Sequence, residues 1–256
     1  MKVVVVPLAV LLVLASATAC GEDEAGSPTP ESLQDVPWVL ASGLDVEGWE
    51  EVAPSATFMN GSVTGSTGCN RFTAPYTLDG GTLEIGEVAS TRMACAPPAD
   101  TVEREYVAAL GQVKAWRSEN DELTLLDTDE NDVLGYRVGT PDGSWQVTGI
   151  RQGDAIVSPI AEIAITASFA EDGTLSGSAG CNTYTAAYTT NRGEIEITEP
   201  TSTKKACTEP EGIMLQEAAY LAALPTAVGF RVSGRSLELL TAEETPLVSY
   251  GPTPPP

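Results

Sequence analysis

The chain carries one stretch of sequence twice. Gly65-Ser-Thr-Gly-Cys-Asn-Arg-Phe72 returns as Gly177-Ser-Ala-Gly-Cys-Asn-Thr-Tyr184, and Thr91-Arg-Met-Ala-Cys95 returns as Thr203-Lys-Lys-Ala-Cys207, each 112 residues later. Tyr106-Val-Ala-Ala-Leu110 matches Tyr220-Leu-Ala-Ala-Leu224, and Leu123-Thr-Leu-Leu126 matches Leu237-Glu-Leu-Leu240, both at an offset of 114. Each copy opens with a tryptophan, Trp38 and Trp145. A duplication of this length has to fold twice within about 110 residues, an ordinary size for one small domain. Two units are therefore expected, 35–139 and 140–251. The turn-rich stretch Gly139-Thr-Pro-Asp-Gly143 marks their boundary.

Periodicity places the elements. Val36–Leu40 and Trp145–Ile150 read as first strands, Thr57–Met59 and Ile163–Phe169 as second strands. The Gly-Cys-Asn turn is expected to open a third strand in each copy. Asp79-Gly-Gly81 and Asn191-Arg-Gly193 read as hairpin turns. Leu83 and Ile85, like Ile195 and Ile197, alternate with glutamates, so those strands should keep one wet face. Helices are expected over 100–112, with Asp100 and Glu103 at capping-box spacing, and between Thr208 and Pro225, with Thr208 and Glu211 at that spacing. Closing strands follow, with turns at Asn120-Asp121 and Gly234-Arg235. The predicted fold class is β-rich α+β: two tandem units, each a curled antiparallel sheet, or half-barrel, packed on one helix.

Charge and composition exclude whole classes of function. Asp and Glu number 36 against 13 Lys and Arg, a net charge of −23. Phosphate backbones are bound by clustered cations, so no nucleic-acid partner is expected. Histidine is absent. Ser-His-Asp and Cys-His nucleophile systems, HExxH zinc sites and any imidazole general base are thereby excluded. Carboxylates such as Glu84 with Glu87, or Glu194 with Glu196, sit on strands expected to face water. Nothing around them supplies the apolar pocket that tunes a glycosidase acid. The chain is read as not an enzyme, with no cofactor and no metal.

The first residues form a segment of their own. Lys2 supplies a positive start, Val3–Ala15 is an apolar run, and Ser16-Ala-Thr-Ala19 leads to Cys20. This is the pattern of a secretory signal. Ala17-Thr-Ala-Cys20 resembles the lipobox of bacterial lipoproteins, although the leucine usual three residues before the cysteine is replaced by Ala17. The resemblance implies a signal peptide over 1–19 and lipid attachment at Cys20, where two acyl chains would give a stable membrane anchor. Residues 20–34 are acidic and Pro/Ser-bearing, and read as a flexible tether. Residues 252–256 read as a Pro-rich tail.

The remaining cysteines are four, an even number, and disulfides persist outside the cytoplasm. Cys69 and Cys95 are 26 residues apart, as are Cys181 and Cys207, which favours pairing within each copy. A four-thiolate zinc site normally needs CxxC pairs, and none is present. The Gly-Cys-Asn turn itself reads as a tight turn that positions a disulfide, with a ligand-facing loop as the alternative. Arg71 and Arg92 read as a solvated basic pair rather than an anion site, since copy two has Thr183 and Lys204 there. Asp127-Thr-Asp-Glu-Asn-Asp132 begins like a calcium loop, but lacks its glycine at position 6 and its glutamate at position 12. A solvated hairpin loop is the expected form.

The sequence GCNRF followed by TRMAC, with a leading Trp and a later helix ending in Leu, resembles the META domain, or HslJ-like, lipoprotein family. Copy one follows the pattern closely, while copy two departs from it at Thr183-Tyr184 and Lys204-Lys205. The resemblance implies a β half-barrel with a helix, in an extracytoplasmic protein lipid-anchored to the cell membrane. It also implies links to heat-shock and stress response in the cell envelope, and brings no catalytic residues with it. The expected function is non-enzymatic binding of an envelope protein or small apolar ligand in stress tolerance. The alternative is an acidic inhibitor or scavenger that captures a basic envelope protein, such as a cell-wall lytic enzyme.

Overall fold

The computed structural model describes residues 29–253; the expected signal peptide and Cys20 lie outside them. The first unit runs through α1 (Pro30–Leu33), β1 (Trp38–Ser42), α2 (Trp49–Val52), β2 (Ser55–Met59), β3 (Ser62–Ser66) and β4 (Arg71–Asp79). It continues with β5 (Thr82–Ile85), β6 (Ala89–Ser90), α3 (Ala99–Leu110), β7 (Ala115–Glu119), β8 (Glu122–Leu126) and β9 (Asp132–Val138). The second unit holds β10 (Gly143–Gln152), β11 (Ala155–Val157), β12 (Thr166–Phe169), β13 (Thr174–Ser178), β14 (Thr183–Asn191), β15 (Glu194–Ile197) and β16 (Thr201–Ser202). Then come α4 (Ile213–Ala223), β17 (Gly229–Ser233), β18 (Ser236–Leu240) and β19 (Pro246–Pro252).

Each sheet closes on itself. In the first unit the order β3-β2-β1-β9-β8-β7-β5-β4 is joined end to end by β3 pairing β4. In the second, β10-β12-β13-β14-β15-β17-β18-β19 is joined by β10 pairing β19. These are closed barrels rather than the half-barrels expected. The difference rests on β3 and β13, which the sequence reading passed over: Ser-Val-Thr-Gly-Ser and Thr-Leu-Ser-Gly-Ser each carry one large apolar residue and give little alternation. With these strands in place, the Gly-Cys-Asn turn opens the fourth strand of the first unit and the fifth of the second, not a third. Gly65 and Gly177, the first residues of the repeated motif, let this happen. A Cβ at either would collide with a carbonyl of the neighbouring strand, Ser55 or Thr166.

Alternation fills the barrels. Along β4, Phe72, Ala74 and Tyr76 point inward while Arg71, Thr73 and Pro75 face water. Trp38, Phe58, Leu83, Leu123, Leu125 and Tyr136 complete the first core, joined by Tyr106 and Leu110 of α3. The second core mirrors it with Phe169, Tyr184, Tyr188, Leu237, Leu239 and Tyr250, joined by Tyr220 of α4. Tyr106 Oη lies 2.9 Å from Tyr136 Oη, and Tyr220 Oη lies 2.6 Å from Tyr184 Oη, so these buried hydroxyls satisfy one another. One helix per unit was expected; the first unit adds the short α1 and α2.

Neither expected capping box forms. α3 starts at Ala99 behind Pro98, and α4 starts at Ile213 behind Gly212, both without a side-chain cap. The edges of the units also differ from the reading. Leu33, at the end of the expected tether, is fully buried, and its carbonyl accepts from Trp38 Nε1 at 2.9 Å. The Gln34 amide donates to Tyr76 Oη at 2.9 Å. At the other end Pro252 belongs to β19, in register with Trp145, rather than to a loose tail.

The two barrels touch. Between β9 and β10, Gly139 N donates to the Pro37 carbonyl, while the Pro141 carbonyl accepts from Trp145 Nε1 and Asp142 accepts from Tyr188 Oη. Arg192, in the β14–β15 turn, reaches into the first unit. It pairs with Asp121, donates to the Ser32 carbonyl at 2.8 Å and lies 5.5 Å over the Trp38 ring. Gly234 N, in the β17–β18 turn, donates to Ser55 Oγ at 3.2 Å.

Candidate functional site

The repeated Gly-Cys-Asn turn sits at one end of each barrel, at the entrance to β4 or β14. The structure joins Cys69 to Cys95 and Cys181 to Cys207, with Cα atoms 6.0 Å apart in both. Each link ties the turn to the loop before the helix and closes 26 residues. In the chain-entropy account that stabilises each unit by about 3–4 kcal/mol.

Beside each disulfide lies a buried asparagine. Asn70 Oδ1 accepts from Thr91 Oγ1 at 2.7 Å and Met93 N at 2.8 Å, while its amide donates to Glu103 Oε2 at 2.7 Å. Asn182 Oδ1 accepts from Thr203 Oγ1 at 2.7 Å and Lys205 N at 2.8 Å, and its amide donates to Glu217 Oε1 at 2.7 Å. Glu217 also accepts from the backbone N–H groups of Asn182, at 2.7 Å, and Cys181, at 3.2 Å. Turn, disulfide loop and helix are thus bonded through one side chain. Its polar atoms face their own protein, so the turn is a structural joint rather than a ligand-facing loop. Sequence reasoning marked the asparagines but gave Glu103 a capping role and missed Glu217, which lies 35 residues from Asn182 along the chain.

The other marked residues stand apart. Arg71 and Arg92 are exposed and belong to no ion pair among the described residues. Asp127 lies in the β8–β9 loop, where its carboxylate accepts from the backbone N–H of Asp129 and Asn131 and from the Asn131 amide. The Asn131 side-chain bond is the main cause holding its carboxyl below the usual range. These bonds satisfy the carboxylate within its own turn. Among the described residues no group of three or more His, Cys, Asp and Glu side chains is placed to hold a metal. Glu84, Glu87, Glu194 and Glu196 are exposed. No helix among the described residues is long and apolar enough to cross a membrane.

With the barrels filled, the open spaces lie on the outside. One hollow of about 260 Å³ lies where the units meet, between Pro37 and Met59 of the first and Val228 and Leu240 of the second.

Two closed barrels in tandem, each with a disulfide-pinned Gly-Cys-Asn joint, define a duplicated small-barrel protein. The META domain family model matches residues 31–140 and again 137–252, and the chain belongs to this family. No curated protein matches it. Among solved structures, an NMR structure of a protein from Burkholderia xenovorans is 25% identical, with a TM-score of 0.37, over 46% of this chain and 96% of its own. A second NMR structure is 26% identical over 43% of this chain and 95% of its own, with a TM-score of 0.34. The crystal structure of a duf4847 family protein from Bacteroides vulgatus is 14% identical, covering 44% of this chain and 98% of its own, with a TM-score of 0.34.

Proposed function

We propose that this protein is a non-enzymatic lipoprotein of the cell envelope whose two META barrels are binding modules, with stress tolerance as the cellular output. The observation that carries the reading is the filling of both barrels by their own side chains, which leaves the outer surfaces and the seam as the places to meet a partner. Two disulfides support an extracytoplasmic location. The lack of any histidine supports a role in binding rather than in proton-transfer chemistry near neutral pH. The segment ending in Ala17-Thr-Ala-Cys20 supplies the anchor in this reading.

The test is fractionation of the full chain in a bacterial host, with mass spectrometry of its N-terminal peptide. Wild type is expected in the membrane fraction, beginning at an acylated Cys20, and Cys20→Ala is expected to leave the membrane. Equal membrane retention of the variant, or an uncut N-terminus, overturns the anchor. The acidic-capture reading draws specific support from the net charge of −23 and from the carboxylates around the seam.

A further inference from the structure

We propose that the seam hollow between the barrels binds a cation carried on an apolar stem, the chemistry of a lysine or arginine side chain. The proposal rests on the reading of the barrels as binding modules and names what one surface of them takes.

The hollow lies beside the short β15–β17 pairing. β15 and β17 are paired in register only at Glu194 with Gly229. Next to this single pair the second barrel leaves Val228 49% exposed, although it is a large apolar residue in a barrel whose other valines and leucines mostly point inward. Gly193 makes the meeting of the units close. Its φ is +100°, and a Cβ there would lie 2.9 Å from Pro37 Cδ and 3.0 Å from the Asp35 carbonyl oxygen. Any side chain at this position would push the first unit away. Arg192, one residue earlier, holds the same turn against Asp121, Ser32 and Trp38, so the wall of the hollow is fixed from behind.

Size and charge select the occupant. About 260 Å³ falls just below the usual range of about 300–1,000 Å³ for drug-sized ligands, and suits one long side chain or a small amine. Pro37, Met59, Val228 and Leu240 supply apolar lining for a methylene stem. Asp35, Glu194 and Glu244 line the same hollow, and none of the three forms an ion pair among the described residues. Among the described residues the one cation in the lining, Arg231, is already 3.3 Å from Glu238. An anion would meet three carboxylates with no free positive partner. A purely apolar ligand would leave those carboxylates unused. A cation on an apolar stem meets both halves of the lining.

The test is calorimetric titration of the full chain with two probes, agmatine and the capped peptide Gly-Arg-Gly, at low and high salt. Saturable binding of either probe, weaker at high salt, is expected. Binding of both identifies a free amine as sufficient, and binding of the peptide alone identifies a residue of a partner protein. The double substitution Glu194→Gln with Glu244→Gln is expected to weaken binding about tenfold, from two partly screened charge contacts. Val228→Trp, at an exposed position, is expected to fill the hollow and abolish it. No binding of either probe at millimolar concentration, or binding unchanged in both variants, overturns the proposal. Circular dichroism of each variant separates a lost site from a lost fold. The membrane fractionation of Cys20→Ala reads independently of this titration.

Discussion

Asn70 and Asn182 do the same work with different neighbours. In the first unit Thr67 Oγ1 accepts from Asn70 N at 3.0 Å, leaving Glu103 to take the asparagine amide and Ser90 Oγ. The second unit has Ala179 in place of Thr67. Its missing hydroxyl is replaced by Glu217, which turns one carboxylate oxygen to the backbone N–H groups of Cys181 and Asn182. Glu217 is buried and Glu103 only half-buried. Losing the carboxylate should therefore cost more in the second unit. Glu217→Gln is expected to destabilise its barrel by about 2–3 kcal/mol and Glu103→Gln by about 1 kcal/mol. Ala179→Thr should recover part of the loss in the Glu217→Gln background, because its hydroxyl can again accept from Asn182 N. Urea unfolding followed by tryptophan fluorescence measures all three, and equal costs at the two glutamates would contradict this account. The repeated Gly-Cys-Asn motif is visible in the sequence because it is local. Its glutamate partner is not, because only the packing of the helix across the barrel end brings residues 182 and 217 together.

At the scale of elements, α4, β14 and β19 meet through three tyrosines. Tyr220 Oη lies 2.6 Å from Tyr184 Oη and 3.4 Å from Tyr250 Oη. Burial is the first cause raising all three, and pushes Tyr184 up to about 12. Tyr106 and Tyr136 are raised in the first unit, again chiefly by burial. The unfolded chain ionises its tyrosines near pH 10. A folded pKa above the unfolded one gives stability that is full below about pH 10 and lost as pH rises toward about 12. The protein is expected to hold its stability below pH 10 and unfold steeply between about pH 10 and 12, with tyrosinate absorbance appearing together with the loss of barrel structure. Titration of these tyrosines near pH 10 in a protein that stays folded would refute the burial of the trio. The strands that frame these tyrosines were legible where apolar and polar residues alternate, as in β5 and β15, and where the Gly-Cys-Asn motif marks a strand's start, as in β4 and β14. They were not legible in β3 and β13, where serine, threonine and glycine give way to backbone pairing. Barrel closure depends on those two strands, so a half-barrel was expected and a full one is found.

The whole molecule is two barrels held by a short connection and a seam. Residues 139–142 separate β9 from β10 and are tied at both ends, Gly139 to the Pro37 carbonyl and Asp142 to Tyr188. Val39 of the first unit packs on the core of the second. The duplication could be read from the sequence, but the seam could not, since its central side chain is unrepeated: Arg192 has no counterpart cation in the first unit's β4–β5 turn, which reads Gly80-Gly81. Arg192 is the main polar link. It combines an ion pair with Asp121, a hydrogen bond to the Ser32 carbonyl and a ring contact with Trp38, from a side chain 30% exposed. Solvent screening of the mostly exposed Asp121 reduces the ion pair, so the ring contact and the carbonyl bond carry most of the link. Arg192→Ala is expected to weaken coupling between the barrels by about 1–2 kcal/mol. Wild type should then unfold with its two units closely coupled in calorimetry, whereas the variant should show two separated transitions and a larger radius in small-angle scattering. A charge-preserving Arg192→Lys change keeps the cation but loses the planar stacking on Trp38, and is expected to fall between the two. If Arg192→Ala unfolds as wild type does and keeps its radius, the barrels are held by the linker, the apolar contacts and the Gly234–Ser55 hydrogen bond, and the seam hollow would keep its shape without this residue.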